Sequence, residues 1–393
     1  MGVVPPATRL PPPAPVPPAA APGPRLPAVN GRPPGRPAAY ERARTLPPPP
    51  RKKPSWVDRV RGGTFGLVGF LCAGAAAFGL LVRLTVRDGF RPLAPVFYAA
   101  SVPVLALLAV AAVVCFALAK GLRLSLKRGL LALGVGGVLA LYAAVFFFQD
   151  ALFDDRPRVV TWNVARGAMG WEGVAEALHA QNPTLAVLTE AGDDDLNDAG
   201  RGGSSEFWAD RFPDHFLARP GGAITILSRG PLGRSEFREL PGGGSLVVTS
   251  AKLGGERVSV LAVDLPGKPL AQREAPLAEV TALAKELAKD RPVLIAGDFN
   301  TPPGSVHFNA LRRAGFVHAF ERYGRGYAAT WPVPAPVLHL DHVWLSPGFE
   351  VGEAWHGWTA HSDHRPVLVP ANVSRDRFDA AKAAAAALNA PAE

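Results

Sequence analysis

"VLIAGDFN" occupies Val293 to Asn300, and its reading decides what kind of domain surrounds it. The run "VLIA" is short, apolar and branched, which describes a buried strand. It ends in Gly-Asp-Phe-Asn. Side chains alternate along a strand, so Asp298 and Asn300 project to one face, two residues apart. Such a strand ends at a site rather than in a plain turn. The segment before it, "AQREAPLAEVTALAKELAKD" (271–290), has the spacing of an amphipathic helix. Helix followed by buried strand is α/β alternation.

The same alternation extends outward in both directions. "RVVTWN" (158–163), "LAVLTE" (185–190), "AITILS" (223–228), "SLVVTS" (245–250), "RVSVLAVD" (257–264), "LHLDHVWL" (338–345) and "RPVLV" (365–369) read as strands. In "WEGVAEALHAQNP", Trp171, Val174, Ala175 and Leu178 fall at helical spacing, stopped by Asn182-Pro183. A short helix is expected around "SVHFNALRRAG". Residues 150–372 therefore form one compact α/β domain, followed by an Ala-rich tail or terminal helix over 373–393. Polar residues recur at the carboxyl ends of these strands: Asn163, Glu190, Asp264, and Asp298 with Asn300. Catalytic groups carried on element ends over a rigid scaffold are a common arrangement. Asp193 to Asp195 read as an acidic loop.

Ser362, Asp363 and His364 stand side by side in "TAHSDHRPVLV" (359–369). Neighbouring side chains of an extended segment point to opposite faces, so the three cannot aim at one another as a serine triad does. His364 must work with residues elsewhere, and Ser362 shapes the turn. Cys72 and Cys115, the two cysteines, lie outside this domain, which excludes disulfides and thiolate chemistry from it.

The first 149 residues have a different character. Residues 1–61 are Pro-rich and basic, a tail that cannot build a core. Residues 62–82, 92–119 and 129–149 contain no charged residue. A helix needs about 20 such residues to cross a bilayer, so three transmembrane helices are expected in the region 62–149. Residues 1–149 carry 18 Lys/Arg against 3 Asp/Glu, and residues 150–393 carry 24 against 30. The basic excess belongs to the tail and membrane part; the acidic α/β domain shows no basic footprint for nucleic acid. Positive charge beside the first span places the tail in the cytoplasm, and three crossings then place the α/β domain outside. The outward placement of "RLTVRDGFR" (83–91), with three Arg, runs against this bias.

In order along the chain come "TWNVARG", "LTEAG", "ITILSRGPL", "AGDFNTPPGSVHFNALRRAGF", "LDHVW" and "SDHRPVL". This series resembles the endonuclease/exonuclease/phosphatase superfamily, which has the deoxyribonuclease-I-like fold. With three membrane helices ahead of it, the chain is similar to the bacterial membrane-anchored branch that includes vancomycin-resistance-associated proteins. The resemblance implies a four-layer α/β/β/α sandwich of two packed sheets. It also implies hydrolysis of phosphoesters with Mg²⁺ or Mn²⁺, hard cations that prefer oxygen donors. Glu190 is then the primary metal carboxylate, with Asn163 and Asp363 beside it. His364 activates the attacking water, oriented by Asp363 or a neighbouring carboxylate. Asp298 positions that water, Asn300 donates to the phosphoryl oxygen, and Asp341 supports a histidine across the site. Arg166 and Arg365 lie close enough in sequence to contact phosphate.

The pattern expects a histidine where this chain has Asp264. Three readings stand open: Asp264 is a protonated acid, its pKa raised by Asp341; His339 substitutes; or Asp264 holds a second metal. The expected substrate is a phosphate-containing molecule near the bilayer, such as a lipid-linked or envelope phosphate or pyrophosphate. A metal-dependent nuclease, with nucleic acid as partner, is the less favoured alternative. A catalytically impaired binding or scaffold protein of the membrane is the other.

Overall fold

The computed structural model describes residues 55–120, 154–192 and 204–388, with Gly129, Gly134 and Gly137 between the first two stretches. Most of the expected third span and of the basic tail, and the loop Asp193–Asp195, lie outside the described residues. Helix α1 (Trp56–Leu84) begins inside the segment expected to be tail. The second span is shorter than expected from 92–119. A 3₁₀ turn (Arg91–Leu93) and the short helix α2 (Ala94–Ala99) precede α3 (Val102–Ala119). Pro103 explains the break, since inside a continuous helix it removes an N–H and clashes with the carbonyl four residues earlier. In the first turn of α3 it does neither harm.

Among the described residues, two helices are long and apolar enough to cross a membrane, Arg59–Leu84 and Val102–Ala119. They pack where side chains are small, Gly69 against the Phe116 ring and Gly79 against Ala100 and Leu105. Their other faces, with Leu67, Phe70, Leu71, Leu107 and Val113, are exposed.

The α/β domain follows as β1 (Arg158–Asn163), α4 (Trp171–Gln181), β2 (Leu185–Thr189), α5 (Ser205–Arg211), β3 (Phe216–Gly221) and β4 (Ile224–Ser228). Next come β5 (Glu236–Glu239), β6 (Ser245–Leu253), β7 (Glu256–Asp264), α6 (Glu274–Leu287) and β8 (Val293–Asp298). After α7 (Asn309–Arg313), β9 (Val317–His318) and α8 (Ala319–Tyr323) come β10 (Asp341–Leu345), β11 (Phe349–Val351), β12 (Trp355–His356), β13 (Val367–Val373) and α9 (Arg375–Leu388).

One sheet has the order β11-β13-β1-β2-β4-β3, with β12 also on β13; the other runs β5-β6-β7-β8-β10-β9. Each is antiparallel except for one central parallel pair, β1 with β2 and β7 with β8. Each parallel pair is joined through a helix, α4 or α6, as parallel strands require. That connection sends the carboxyl ends of β1 and β2, and of β7 and β8, to the same end of their sheets. The strands missed in the sequence lie at the sheet margins, among them β3 and β5, "EFRE", whose charge blunts edge pairing.

The sheets pack face to face through Val159, Leu185, Val187, Val260, Ala262, Leu294, Ala296 and Val343. On the outer faces, α4 buries Val174, Ala175 and Leu178 against β1 and β2. Helix α6 buries Leu277, Val280 and Ala284 against β7 and β8. The result is an α/β sandwich of two packed mixed sheets with helices outside.

Gly297 is required by this pairing. It sits at φ +143°, and a Cβ there would lie 1.9 Å from the Val263 carbonyl oxygen. Gly297→Ala is expected to lower stability by more than about 2 kcal/mol through strain and displaced pairing, read as a fall in the thermal midpoint of the full chain. A midpoint equal to the parent's would refute the steric argument.

Candidate active site

The registers of β7, β8 and β10 put three carboxylates abreast. Asp264 pairs with Asp298, and Asp298 pairs with Asp341. In-register residues on neighbouring strands share a face, so the three side chains crowd one row. Across from them, the first sheet delivers Asn163 at the end of β1 and Glu190 just past β2. Asn163 Nδ2 donates to Glu190 Oε1 (3.1 Å) and to Asp298 Oδ2 (3.0 Å), joining the two sheets. Glu190 sits at φ +50°, a left-handed turn that swings its carboxylate to the cavity.

His364 is brought in by the turn before β13. Its Nδ1 is 2.8 Å from Asp341 Oδ2, and its Nε2 is 4.0 Å from Asp298 Oδ2. Asp341 is thus the carboxylate that orients His364. Asp363 instead accepts from Trp331 Nε1 at 2.9 Å and borders the cavity. Ser362 shapes the turn as expected, donating to the Asn163 carbonyl (2.7 Å) and accepting from the His364 N–H (3.0 Å).

Asn163, Arg166, Glu190, Asp264, Asp298, Asn300, Asp363 and His364 line one cavity of about 540 Å³. Asp341 lies beneath it, fully buried. Arg166 Nε stands 3.5 Å from Glu190 Oε2 at the rim. Asn300 Nδ2 donates to the Leu265 carbonyl (2.7 Å) and Asp298 Oδ2 (3.0 Å), so its amide aligns Asp298 at the cavity wall.

Arg365 is a correction to the sequence reading. It is completely buried and donates to the carbonyls of Gly357, Tyr327, Ala329 and His356, away from the cavity. As the immediate neighbour of His364 it points the other way. His339 is also turned away, its ring packed against His342, His356 and Phe320.

Asp264 and Asp298 have raised pKa values, through burial first and neighbouring carboxylates second. Burial first, then Asp298, Glu190 and Asp341, push Asp264 well above the usual range. Burial and Asp341 push Asp298 up to about 7, against His364 and the Asn163 and Asn300 hydrogen bonds. His364 is pushed down by burial, but the charge and hydrogen bond of Asp341, with Asp298 and Asp363, carry it up to about 10.

Among the described residues, five carboxylates therefore stand against one imidazole and one guanidinium at this cavity. Asp341 Oδ1 is buried with no hydrogen-bond partner among the described residues. Ligand atoms of Asp298, Asp341 and His364 lie within 4.8 Å of one another. A crowded, oxygen-rich set with surplus negative charge fits a divalent cation.

A second group of histidines went unread in the sequence. The Glu321 N–H donates to His318 Nδ1 (3.0 Å), which leaves His318 Nε2–H to donate to His342 Nδ1 (2.8 Å). His342 Nε2–H then donates to the Thr301 carbonyl at 2.7 Å, beside Asn300. His318, His339 and His342 are close enough to hold an ion, but a metal there would break this relay. No local signal marks the relay, because its members meet only through the β9–β10 pairing.

The profile of the Endonuclease/Exonuclease/phosphatase family matches residues 160–364. The chain belongs to that family, whose name covers enzymes that hydrolyse phosphoester bonds. A curated relative, the uncharacterized protein YbhP of Escherichia coli K12, is 33% identical over 116 residues, 29% of this chain and 46% of that protein. The chain thus spans about half the length of the curated relatives it matches. Among solved structures, humanized D. rerio TDP2 is 16% identical, covering 56% of this chain and 100% of that one, with a TM-score of 0.46. The mannosyl-6-phosphatase Bt3783 of Bacteroides thetaiotaomicron is 16% identical, covering 55% and 99%, with a TM-score of 0.43.

His356 gives a pH test outside the carboxylate row. Burial, then Arg365, lower its pKa well below 6.5, so the unfolded chain takes up its proton first. Stability from this group is complete above the unfolded pKa and declines as pH falls below it. Between pH 7 and pH 5, parent protein should lose about 1–2 kcal/mol more unfolding free energy than His356→Phe. Equal losses in denaturant titrations would contradict a neutral buried imidazole.

Proposed function

We propose that the chain is a membrane-anchored, divalent-metal-dependent phosphoesterase, acting outside the cytoplasm on phosphate ester or pyrophosphate bonds of lipid-linked or envelope substrates. The observation that carries this reading is the row Asp264–Asp298–Asp341 facing Glu190, Asn163 and the His364–Asp341 pair in one cavity. Glu190, with Asn163 and Asp363 beside it, would hold Mg²⁺ or Mn²⁺. When bound, such an ion supplies positive charge against the phosphoryl oxygens.

The remaining roles belong to the chain. His364, fixed through Nδ1, turns Nε2 toward Asp298 to receive a proton from water. With the carboxylates alone it keeps its own proton at neutral pH. Added positive charge among the same carboxylates favours its release. Asp298, aligned by Asn163 and Asn300, orients that water. Asp264 takes the place of the expected histidine as acid, since burial and neighbouring carboxylates favour its protonated form. Arg166 serves phosphate at the rim.

The membrane placement is supported by contacts between the α1–α3 connection and the α/β domain. The Val306 N–H donates to Asp88 Oδ1 (3.0 Å) and Arg91 Nε to the Leu270 carbonyl (2.9 Å). Groups in contact lie on one side of a bilayer. If α1 and α3 both cross, the chain must cross once more between Ala119 and Asp154, which agrees with a third span at 129–149. A site held beside a bilayer favours phosphates found there, and an acidic domain lacks the basic footprint that nucleic acid binding uses.

The test uses the full chain in detergent with Mg²⁺ or Mn²⁺ against a panel of phosphodiesters, phosphomonoesters and pyrophosphates. His364→Ala is expected to lower kcat by about 10²–10⁴-fold, and Glu190→Ala to abolish the response to metal. A parent protein without turnover and without metal binding by calorimetry would end the phosphoesterase reading. For orientation, protease added to intact cells should cut the α/β domain; protection would refute the outward placement.

A further inference from the structure

A tether needs no contact with the active site it carries. In this chain the connection between the two apolar helices, Thr85 to Ser101, reaches the catalytic cavity itself. Beyond the bonds of Asp88 and Arg91, Arg87 Nη1 donates to the Gly304 carbonyl (3.2 Å). Gly304 also lies against the Phe97 ring, and Phe97 packs with Val82, Ala94 and Tyr98 into a small core of their own.

Tyr98 lines the 540 Å³ cavity beside Pro266, Gly267 and Pro269. Tyr98 and Pro269 also wall a second cavity of about 140 Å³, which Asp88 and Arg273 border as well. Three buried side chains around it keep unpartnered polar atoms among the described residues: Asp88 Oδ2, Tyr98 Oη, and Arg273 Nε and Nη1. Asp88, Tyr98 and Arg273 are 4%, 6% and 4% exposed. Asp88 and Arg273 carry opposite charges there, and Arg273 and Thr301 stand within reach of the Tyr98 hydroxyl, directly or through water in a polar space of this size.

Arg273 carries the contact onward. Its Nη2 donates to the Pro266 carbonyl (2.6 Å) and to the Asn300 carbonyl (3.1 Å). Asn300 is held at φ +45° and donates to Asp298 and Leu265. A left-handed non-glycine backbone persists only when its surroundings hold it.

We propose that the membrane connection is a working part of the active site: Tyr98 closes one wall and, through Arg273, positions Asn300, Asp298 and the 265–269 loop. Tyr98 is a positioning residue, and the proposal rests on the phosphoesterase reading. It makes the catalytic domain dependent on its own anchor, so that full alignment of Asp298 exists only beside the bilayer. The sequence concealed this role, since Tyr98 lies within an uncharged apolar run.

The experiment uses the full-length chain in detergent and bis(4-nitrophenyl) phosphate as a soluble reporter. Misplacement of reacting groups by about 1 Å costs on the order of 10²-fold in rate. Tyr98→Ala should therefore lower kcat by about ten- to hundredfold, with KM and the metal concentration for half-activation nearly unchanged. Tyr98→Phe, which keeps the wall, should fall between. Hydrogen exchange should quicken in Tyr98→Ala at 265–269 and 299–301 while β8 stays protected. In a Cys72→Ala/Cys115→Ala background, Gly89→Cys with Val306→Cys should form a disulfide on mild oxidation, because a Gly89 Cβ would lie 3.4 Å from Val306 Cγ2. Parent kcat in Tyr98→Ala, unchanged local exchange, or no cross-link would each overturn the proposal. Absence of turnover in the parent counts against the phosphoesterase reading alone; exchange and cross-linking still decide this one.

Discussion

The site depends on one side chain that belongs to one sheet and bonds to the other. Asn163 ends β1, yet its amide donates to Asp298 at the end of β8, and also to Glu190. Its own Oδ1 accepts from the Ala165 N–H (2.9 Å), which locks the amide in place. Two sheets packed through apolar side chains are free to shift slightly. A buried, fully engaged amide between their ends removes that freedom where it matters, because each of its bonds would be costly to leave unmade. Ser362 adds a second tie by fastening the His364 turn to the Asn163 carbonyl.

What these ties hold together repels itself. Three strands of one sheet deliver aspartates side by side, and burial removes the water that would screen them. The protein answers with His364, with two asparagine amides and with the N–H of Asn300. These partners are fewer than the charges. An excess of negative charge in a preorganised pocket is a poor way to stabilise a fold and a good way to hold a cation, with a phosphate anion behind it. The same logic explains why Arg365 does not take part. Its guanidinium is consumed by four carbonyls and by stacking over Trp358, where it fixes the loops that frame the turn.

Much of this was legible in the residues. Apolar runs of strand length, each ending in a polar group, marked Asn163, Glu190, Asp264 and Asp298, a polar turn marked His364, and all five border one cavity. The inference worked because alternating strands and helices turn the carboxyl ends of parallel strands to one side. Arg365 was misplaced by reading proximity in sequence as proximity in space, although strand alternation already turns neighbours apart. Asp341 was expected to support a histidine across the site without saying which; that it is His364 depends on how β13 and β10 meet across the sandwich.

By itself the sequence determined which residue types end which strands and where two apolar helices lie, although the break before Val102 was not read in it. These follow from local rules: periodicity, backbone sterics and hydropathy. The tertiary structure alone decided that Asp264, Asp298 and Asp341 stand abreast, that Asp341 rather than Asp363 holds His364, and that Tyr98 and Arg273 border one small cavity. Those pairings join residues far apart in the chain. Strand register and sheet packing select them, and both are set by the sum of many apolar contacts rather than by any short stretch of residues.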